Sequence, residues 1–433
     1  MAAISAPSST RRAGLRELGL ALVSIATVLV AGEMVRRAVA HRFEASDPRL
    51  ALAWEPSDAA ARENLANQTL SHALASKAVA TRAAALRETA QAARRALSDG
   101  PLHWAALRDL GIAADTAGDK AAARSVMIRA SLRGHRDIPT QGWWLQQALT
   151  AGDAVGAVPR IDALLRSQPD LEPRLLPIVA ALTGVPAARA ALAARLAENP
   201  PWRDAVLPDL ATKGPDLAAV EALFFDLRAR GSSPDDAAFG ALLFRLAAVG
   251  RYADARAMWV KLASPRQAAL AVTPYDGDFR KAPGPEPFNW RIHALEGGDA
   301  RMELVPGVGS ALTVSYPASA KPTIAEQLLT LSPGVYRLSG KWRVTGAARG
   351  AAVAWTVNCA ADGAPLGGWR HGLDSQIAWT SFDAAIVVPP GCAAQWLRLS
   401  GQAGDGFEDV GAAFTALSIA PPAALAVAPL ASR

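Results

Sequence analysis

Two patterns of apolar and polar residues divide the chain. From roughly Asp47 to Ser264, alanine, leucine, arginine and glutamate dominate, and leucines and aromatics recur at three- and four-residue spacing. Glycine or proline interrupts this pattern every fifteen to twenty residues. The period is helical, and the regular interruptions predict short antiparallel helices. Beyond Pro265 the period becomes two. ARMELV, ALTVSY, VYRLSGKWRV, AVAWTVNC, FDAAIVV, QWLRLSG and FTALSIA alternate, with turns such as PGVG, LSPG and VPPG between them. Short alternating strands at this spacing predict an antiparallel β-sandwich of jelly-roll type over residues 288–420. Residues 265–287 read as a linker, because six of the fourteen residues of PYDGDFRKAPGPEP are proline or glycine and cannot continue a helix. Residues 421–433 read as a disordered tail. Phe288 and Trp290 stand two apart at the start of the sandwich, which in a strand points both rings one way, into the core or the junction with the last helix.

The helical part repeats. Gly118 is followed by Ala123, Met127 and Ala130; Gly152 by Ala157, Ile161 and Leu164; Gly250 by Ala255, Trp259 and Leu262, each set at offsets of five, nine and twelve. Gly184 and Gly214 lie between them, giving glycine intervals of 34, 32, 30 and 36 residues. These two fit less well: Arg189 stands where a small residue is expected and Asp226 where an apolar one is. Each unit reads as a helix, a glycine turn and a second helix, with small residues allowing close approach. In GDKAAARSVMIRA, AGDAVGAVPRIDALL and VGRYADARAMWVKL the chain resembles the tetratricopeptide repeat family, and the resemblance extends over Ala59 to Ala263. It implies an α-solenoid over residues 47–264 with a groove that binds proteins, and names no ligand. Pro177 and Pro208 fall inside expected helices, so the register between residues 170 and 235 stays open. Trp104, Trp143, Trp144, Trp202 and Trp259 are expected between repeats as core, and Asp115, Asp119 and Asp153 at turns and helix ends.

The N-terminal segment carries a different signal. LGLALVSIATVLVAG, Leu18 to Gly32, contains no charge and is flanked by Arg11, Arg12, Arg16, Glu33, Arg36 and Arg37. It is shorter than the ~20 residues a spanning helix needs, but Leu15 to Val39 suffices if the flanking charges snorkel. Residues 1–46 are therefore expected to be a cytoplasmic tail and a single transmembrane helix in an inner membrane, with the bulk of the chain periplasmic. A secretory signal cleaved near AVA (Ala38 to Ala40) is the alternative and leaves a secreted or periplasmic protein. TRRAGLR, Thr10 to Arg16, resembles a twin-arginine export signal, with Gly14 in place of the usual large apolar residue.

Composition narrows the function classes. At 433 residues, 51% of them hydrophobic, the chain is too long for one core and too apolar to be disordered. The net charge of +6 comes from scattered arginines, so no nucleic-acid partner is expected. Both cysteines, Cys359 and Cys392, fall in the sandwich; in an exported module they form a disulfide, two buried free thiols being the alternative. Six of the twelve tryptophans lie there too. Trp342, Trp355 and Trp396 alternate within strands and read as core.

The sandwich resembles the carbohydrate-binding-module type of jelly roll, which implies aromatic rings stacked on sugars. Trp369, beside Arg370 and His371 in a glycine-flanked segment read as a loop, is the candidate glycan contact. The six histidines are scattered, and no HExxH, GxSxG, P-loop or CxxC pattern occurs, so no metal, cofactor or catalytic residue is assigned. The expected function is a non-catalytic, membrane-anchored scaffold binding envelope proteins through its repeats and a protein or polysaccharide through its sandwich. This layout resembles proteins associated with bacterial exopolysaccharide machinery. The alternative is a carbohydrate-active hydrolase or lyase on a helical scaffold, with a carboxylate pair drawn from Glu286, Glu296, Asp374 and Glu408.

Overall fold

A computed structural model describes residues 9–262, 273–282, 284–375, 378–406 and 408–422. It divides after Leu175 into two compact units. The first holds α1 (Ser9–Phe43), α2 (Pro48–Trp54) and three helical hairpins: α3 (Ala59–Ala75) with α4 (Val79–Asp99), α5 (Trp104–Thr116) with α6 (Lys120–Arg133), and α7 (Ile138–Thr150) with α8 (Ala154–Ser167). Local chemistry starts these helices. The side chains of Asp58, Asp119, Asp137 and Asp153 each accept the backbone N–H three residues on, satisfying a donor that the first turn leaves free. Gly118 and Gly152 turn the chain at φ of 93° and 71°, where a Cβ is strained. Behind the first turn Ala123, Met127 and Ala130 are fully buried, as the repeat spacing requires.

The N-terminal expectation needs correction. No described helix is long and apolar enough to cross a membrane, so the single-pass inner-membrane anchor over Leu15 to Val39 is not supported. The charge-free run of fifteen residues covers only about 22 Å of helix against a bilayer core of about 30 Å. Lengthening it brings in Arg16, Glu17, Glu33, Arg36 and Arg37. Instead of reaching apart toward interfaces, Glu33 is held by Arg36 at 2.8 Å and Arg37 at 2.7 Å, and hydrogen bonding to these guanidinium groups lowers its carboxyl to about 2. Residues 1–8 of the expected cytoplasmic tail and 423–433 of the expected C-terminal tail lie outside the described residues.

The second unit begins within α9 (Glu172–Thr183) and continues with α10 (Pro186–Ala197), α11 (Arg203–Lys213), α12 (Leu217–Ala229), α13 (Asp236–Ala248) and α14 (Tyr252–Leu262). Pro177 and Pro208 do sit inside α9 and α11. The two residues that break the repeat pattern are partners: Arg189 Nε lies 3.1 Å from Asp226 Oδ2, both partly shielded from solvent. A position meant for a small residue and one meant for an apolar residue are thus reconciled by a charge pair between α10 and α12. Asp226→Ala is expected to cost about 1 kcal/mol, reduced by solvent screening. Replacing both residues by leucine should cost less than the sum of the single changes in a double-mutant cycle on thermal unfolding.

The segment read as a linker is packed where it is described. Tyr275 exchanges two backbone hydrogen bonds with the Gln327 side chain, at 2.8 and 2.9 Å. Phe279 is buried in the sandwich core, and Trp259 Nε1 donates to the Pro285 carbonyl at 3.0 Å. Residues 286–289 turn instead of extending, so the two rings of the Phe288 and Trp290 pair separate. Phe288 packs on Trp259 of α14, 5.9 Å between centroids, and Trp290 on Trp355 of the sandwich at 5.7 Å.

The sandwich comprises β1 (Arg291–Ile292), β2 (Asp299–Val305), β3 (Gly309–Pro317), β4 (Thr323–Leu329), β5 (Gly334–Gly346), β6 (Ala352–Cys359), β7 (Pro365–Gly372), β8 (Thr380–Val388), β9 (Gln395–Gln402) and β10 (Asp409–Ala420). All pairings are antiparallel, in the order β1-β4-β9-β6-β7-β8-β5-β10-β3-β2. β7 and β8 are joined at one residue pair, Gly367 with Ile386, and there the sheet folds into two facing layers. Rings meet across them: Trp355 lies 5.6 Å from Phe414 and Trp342 4.7 Å from Trp369. Trp396 faces the other way, stacked on Phe244 of α13 at 6.4 Å.

Tyr316 closes one side of this core. Its hydroxyl donates to the Ala352 carbonyl at 2.8 Å, and Gly401 makes room for the ring, since a Cβ there would lie 2.6 Å from it. Burial pushes the phenol up to about 12, above its unfolded value of about 10. Because the folded state holds this proton more tightly, the contribution is fully present below pH ~10 and is lost as pH rises toward 12. Stability of the parent should therefore fall faster than that of Tyr316→Phe over this interval, by about 3 kcal/mol in total, as followed by urea unfolding at stepped pH.

Candidate functional site

Trp369 lies in strand β7, not in a loop. The glycines that suggested a loop let β7 lie close to its neighbours: a Cβ at Gly368 would sit 2.3 Å from the Trp355 carbonyl oxygen, and one at Gly367 2.3 Å from that of Ala385. Trp369 is paired opposite Trp355 and points inward with it, stacking on Phe382 at 4.4 Å. His371 shares that face, its exposed ring 4.6 Å from Trp342. Arg370 points to the opposite face by strand alternation, where its Nε donates to Gln402 Oε1 at 2.5 Å. The structure therefore does not gather Trp369, Arg370 and His371 on one surface. Cys359 and Cys392 are both buried and are joined as a disulfide with Cα atoms 5.6 Å apart. Glu286, Glu296, Asp374 and Glu408 lie in four separate turns or bends. Glu286, whose carboxyl burial raises, is 3.5 Å from Arg291. Among the described residues no group of three His, Cys, Asp or Glu side chains is placed to hold a metal ion.

A more coherent surface lies on the outer face of the layer β8-β5-β10-β3-β2. Its two middle strands present only small side chains: Ala311, Thr313 and Ser315 from β3, and Gly411, Ala413 and Thr415 from β10. Ala413 stands opposite both Thr313 and Arg343, Thr313 opposite Arg301, and Thr415 opposite Lys341. Side chains paired in this way share a face. Lys341 and Arg343 of β5 therefore form one wall of a trough, and Asp299, Arg301 and Glu303 of β2 the other. Three strand spacings, about 14 Å of backbone, separate the walls. Trp379 enters β8 beside the first wall, with the Arg343 guanidinium 5.2 Å from its ring centroid.

The charges of the two walls are differently satisfied. Arg301 pairs with Asp299 and Glu303, each at 2.9 Å. The Thr313 hydroxyl, then Arg301 and the more distant charge of Arg343, hold the Glu303 carboxyl below the usual carboxylate range. Arg343 Nε is buried and has no hydrogen-bond partner among the described residues. The floor itself is covered, Ala311 and Ala413 being fully buried and Thr415 nearly so, so a ligand meets the ring at one side and the planar polar groups of the walls, which suit an extended, hydroxyl-rich chain whose C–H faces stack on rings while its edges take hydrogen bonds. Residue patterning carried a signal for this trough, since Ala311, Thr313 and Ser315, like Gly411, Ala413 and Thr415, recur at the outward positions of their strands. Without the strand order, nothing placed the two sets side by side.

The first unit has its own recess. A groove of about 590 Å³ is lined by Asp47, Arg49, Gln68, His72 and Glu88, and a larger one of about 1070 Å³ lies between α4, α5 and α6. The larger groove has an apolar base including Leu86, Leu110 and Val126, with Arg82, Arg87 and Arg94 along one helix.

No protein-family model matches the chain, and no curated protein matches it. Among solved structures its C-terminal region is similar to carbohydrate-binding modules. The module TmCBM61, solved in complex with β-1,4-galactotriose, shares 13% identity at a TM-score of 0.23, over 34% of this chain and 91% of that one. A CBM4 structure shares 14% identity at a TM-score of 0.26, over 34% and 99%. The CBM22-1 xylan-binding domain of Xyn10C from Paenibacillus barcinonensis shares 12% identity at a TM-score of 0.24, over 33% and 89%. Likeness at this level carries no argument about function, which rests on the side chains described above.

Proposed function

We propose that this protein is a non-catalytic glycan-binding adaptor: the sandwich holds a glycan chain in the outer trough of β8-β5-β10-β3-β2, and the helical hairpins, read as tetratricopeptide-like repeats, present a groove to a protein partner. The observation that carries the glycan reading is the convergence of Trp379 and Arg343 beside a floor of small residues. Sugars need this combination, because an aromatic face shields C–H groups while guanidinium, carboxylate and hydroxyl groups satisfy the ring substituents. The arginines of α4 and the apolar base of the larger groove support a partner segment that is apolar on one face and acidic on the other. A disulfide between Cys359 and Cys392 belongs to an oxidising compartment, so the same reading places the working protein outside the cytoplasm, where extracellular polysaccharide is met.

The full chain, tested on a glycan array and then by isothermal titration, should bind at least one oligosaccharide. Trp379→Ala should weaken that binding about tenfold, the loss expected for one stacked ring, with the far-ultraviolet circular dichroism unchanged. Trp369→Ala should instead lower thermal stability, because its ring fills the gap between the layers. If Trp369→Ala removes binding at unchanged stability and Trp379→Ala does not, the trough is the wrong surface.

A further inference from the structure

The two walls of the trough suggest more than a generic sugar site. On β2 the cation is spent, since Arg301 is bound by Asp299 and Glu303. On β5 the arrangement differs. Arg337 is paired with Asp383 at 3.0 Å, at the far end of the strand. Lys341 and Arg343, two residues apart and on one face, have no carboxylate within 4.0 Å among the described residues. The Arg343 Nε is moreover buried without an acceptor, and a buried donor left unmade is costly unless something completes it. The groups opposite Arg343 and Lys341, Ala413 and Thr415, are too small to reach them, and Glu303, the acid on the opposite wall, is hydrogen-bonded and paired to Arg301 and feels the Arg343 charge without contact.

We infer that Lys341 and Arg343 receive a carboxylate carried by the glycan, so that the ligand is an acidic polysaccharide bearing uronic-acid or similar carboxylated units. This rests on the reading of the trough as a glycan site. Arg343 supplies a planar fork for a carboxylate, Lys341 a second positive charge two residues along the same strand, and Trp379 a ring on which the sugar bearing that carboxylate can stack. Arg343 touches both kinds of group, which makes it the specificity-determining residue.

The test is a titration of the full chain with uronate hexasaccharides, oligogalacturonate, oligoglucuronate and oligomannuronate, each compared with its methyl ester, which keeps the ring and removes the charge. At least one acid form should bind about tenfold or more tightly than its ester. Arg343→Gln should bring the two forms to within about twofold, the acid form losing more affinity than the ester. Lys321→Gln, which removes a positive charge outside the trough, should leave the preference intact, so a general effect of the basic chain is separated from a local one. Equal binding of acid and ester forms would overturn the inference and leave the glycan reading standing. Binding of neutral oligosaccharides alone would do the same. Failure of all members, acid and neutral, to bind would remove the glycan reading itself. Arg343→Lys, which keeps charge but not the fork, guards against misfolding of the Gln variant and should retain part of the preference.

Discussion

Trp355→Ala is expected to destabilise the sandwich by about 3 to 5 kcal/mol, the cost of emptying a large aromatic site in a packed core. The side chain is fully buried. Its ring lies 5.7 Å from Trp290 and 5.6 Å from Phe414, and in register it stands between Leu399 of β9 and Trp369 of β7. It therefore joins the lead-in segment, both layers and the inward-facing ring of β7. Few domains exceed 5 to 15 kcal/mol in net stability, roughly, so the variant should be close to unfolding at 37 °C. Trp355→Phe should cost much less than its lost area implies. The indole Nε1 is buried without a partner among the described residues, and removing that donor recovers about 1 kcal/mol or more.

Hydrogen exchange should also show where the loss spreads. Trp259 Nε1 is bonded to the Pro285 carbonyl and Phe244 stacks on Trp396, so α13 and α14 belong to one packed body with the sandwich. Their amides should lose protection together with those of β6 and β9. Protection of α13 and α14 unchanged while β6 exchanges freely would show the two parts to be independent.

Much of the fold was legible because local chemistry and global packing agree. The change of period from 3.6 to two near Pro265 marks the boundary between classes of structure, and the aspartates before α6 and α8 and the glycines at 118, 152 and 250 mark the hairpins. Where the spacing drifted, at Arg189 and Asp226, the explanation was pairwise and non-local: each residue is wrong for its own repeat and right for the other. β4 escaped notice because TIAEQLL carries Glu326 and Gln327, which are buried and satisfied by partners far along the chain: Arg398 at 2.8 Å for Glu326, and Tyr275 for Gln327. β7 escaped because its glycines serve close strand approach, a property of neighbours that single-chain patterning does not contain. The same limit hid the trough. Trp379 stands outside any alternating run, and its meaning comes from Arg343 on the adjacent strand. The N-terminal segment failed for a different reason: its short apolar run was extended by letting the flanking charges snorkel, whereas Glu33 is paired with Arg36 and Arg37 and about 22 Å of uncharged helix cannot span about 30 Å of hydrocarbon.

Removing the disulfide should have a comparable effect on the sandwich. Cys359 ends β6 and Cys392 lies in the turn between β8 and β9, with 33 residues separating them. Closing a loop of that length restricts the unfolded chain by about 4 kcal/mol in the chain-entropy account. Part of the turn is fixed independently: Gln395, fully buried, accepts from Leu331 N at 2.8 Å and donates to the Leu331 and Cys392 carbonyls at 3.2 and 2.9 Å. Its hydrogen bonds should survive in Cys359→Ser/Cys392→Ser, so the observed loss should fall below the entropic figure, at about 2 to 3 kcal/mol, with the native far-ultraviolet spectrum retained. Adding reductant to the parent should lower its unfolding midpoint to that of the double variant and leave the variant unmoved. Mass spectrometry of protein purified without reductant decides the premise directly. Alkylation of both thiols in the folded, unreduced chain would mean that no bond forms, and the stability of the parent would then be indifferent to reductant because the buried thiols contribute only by packing.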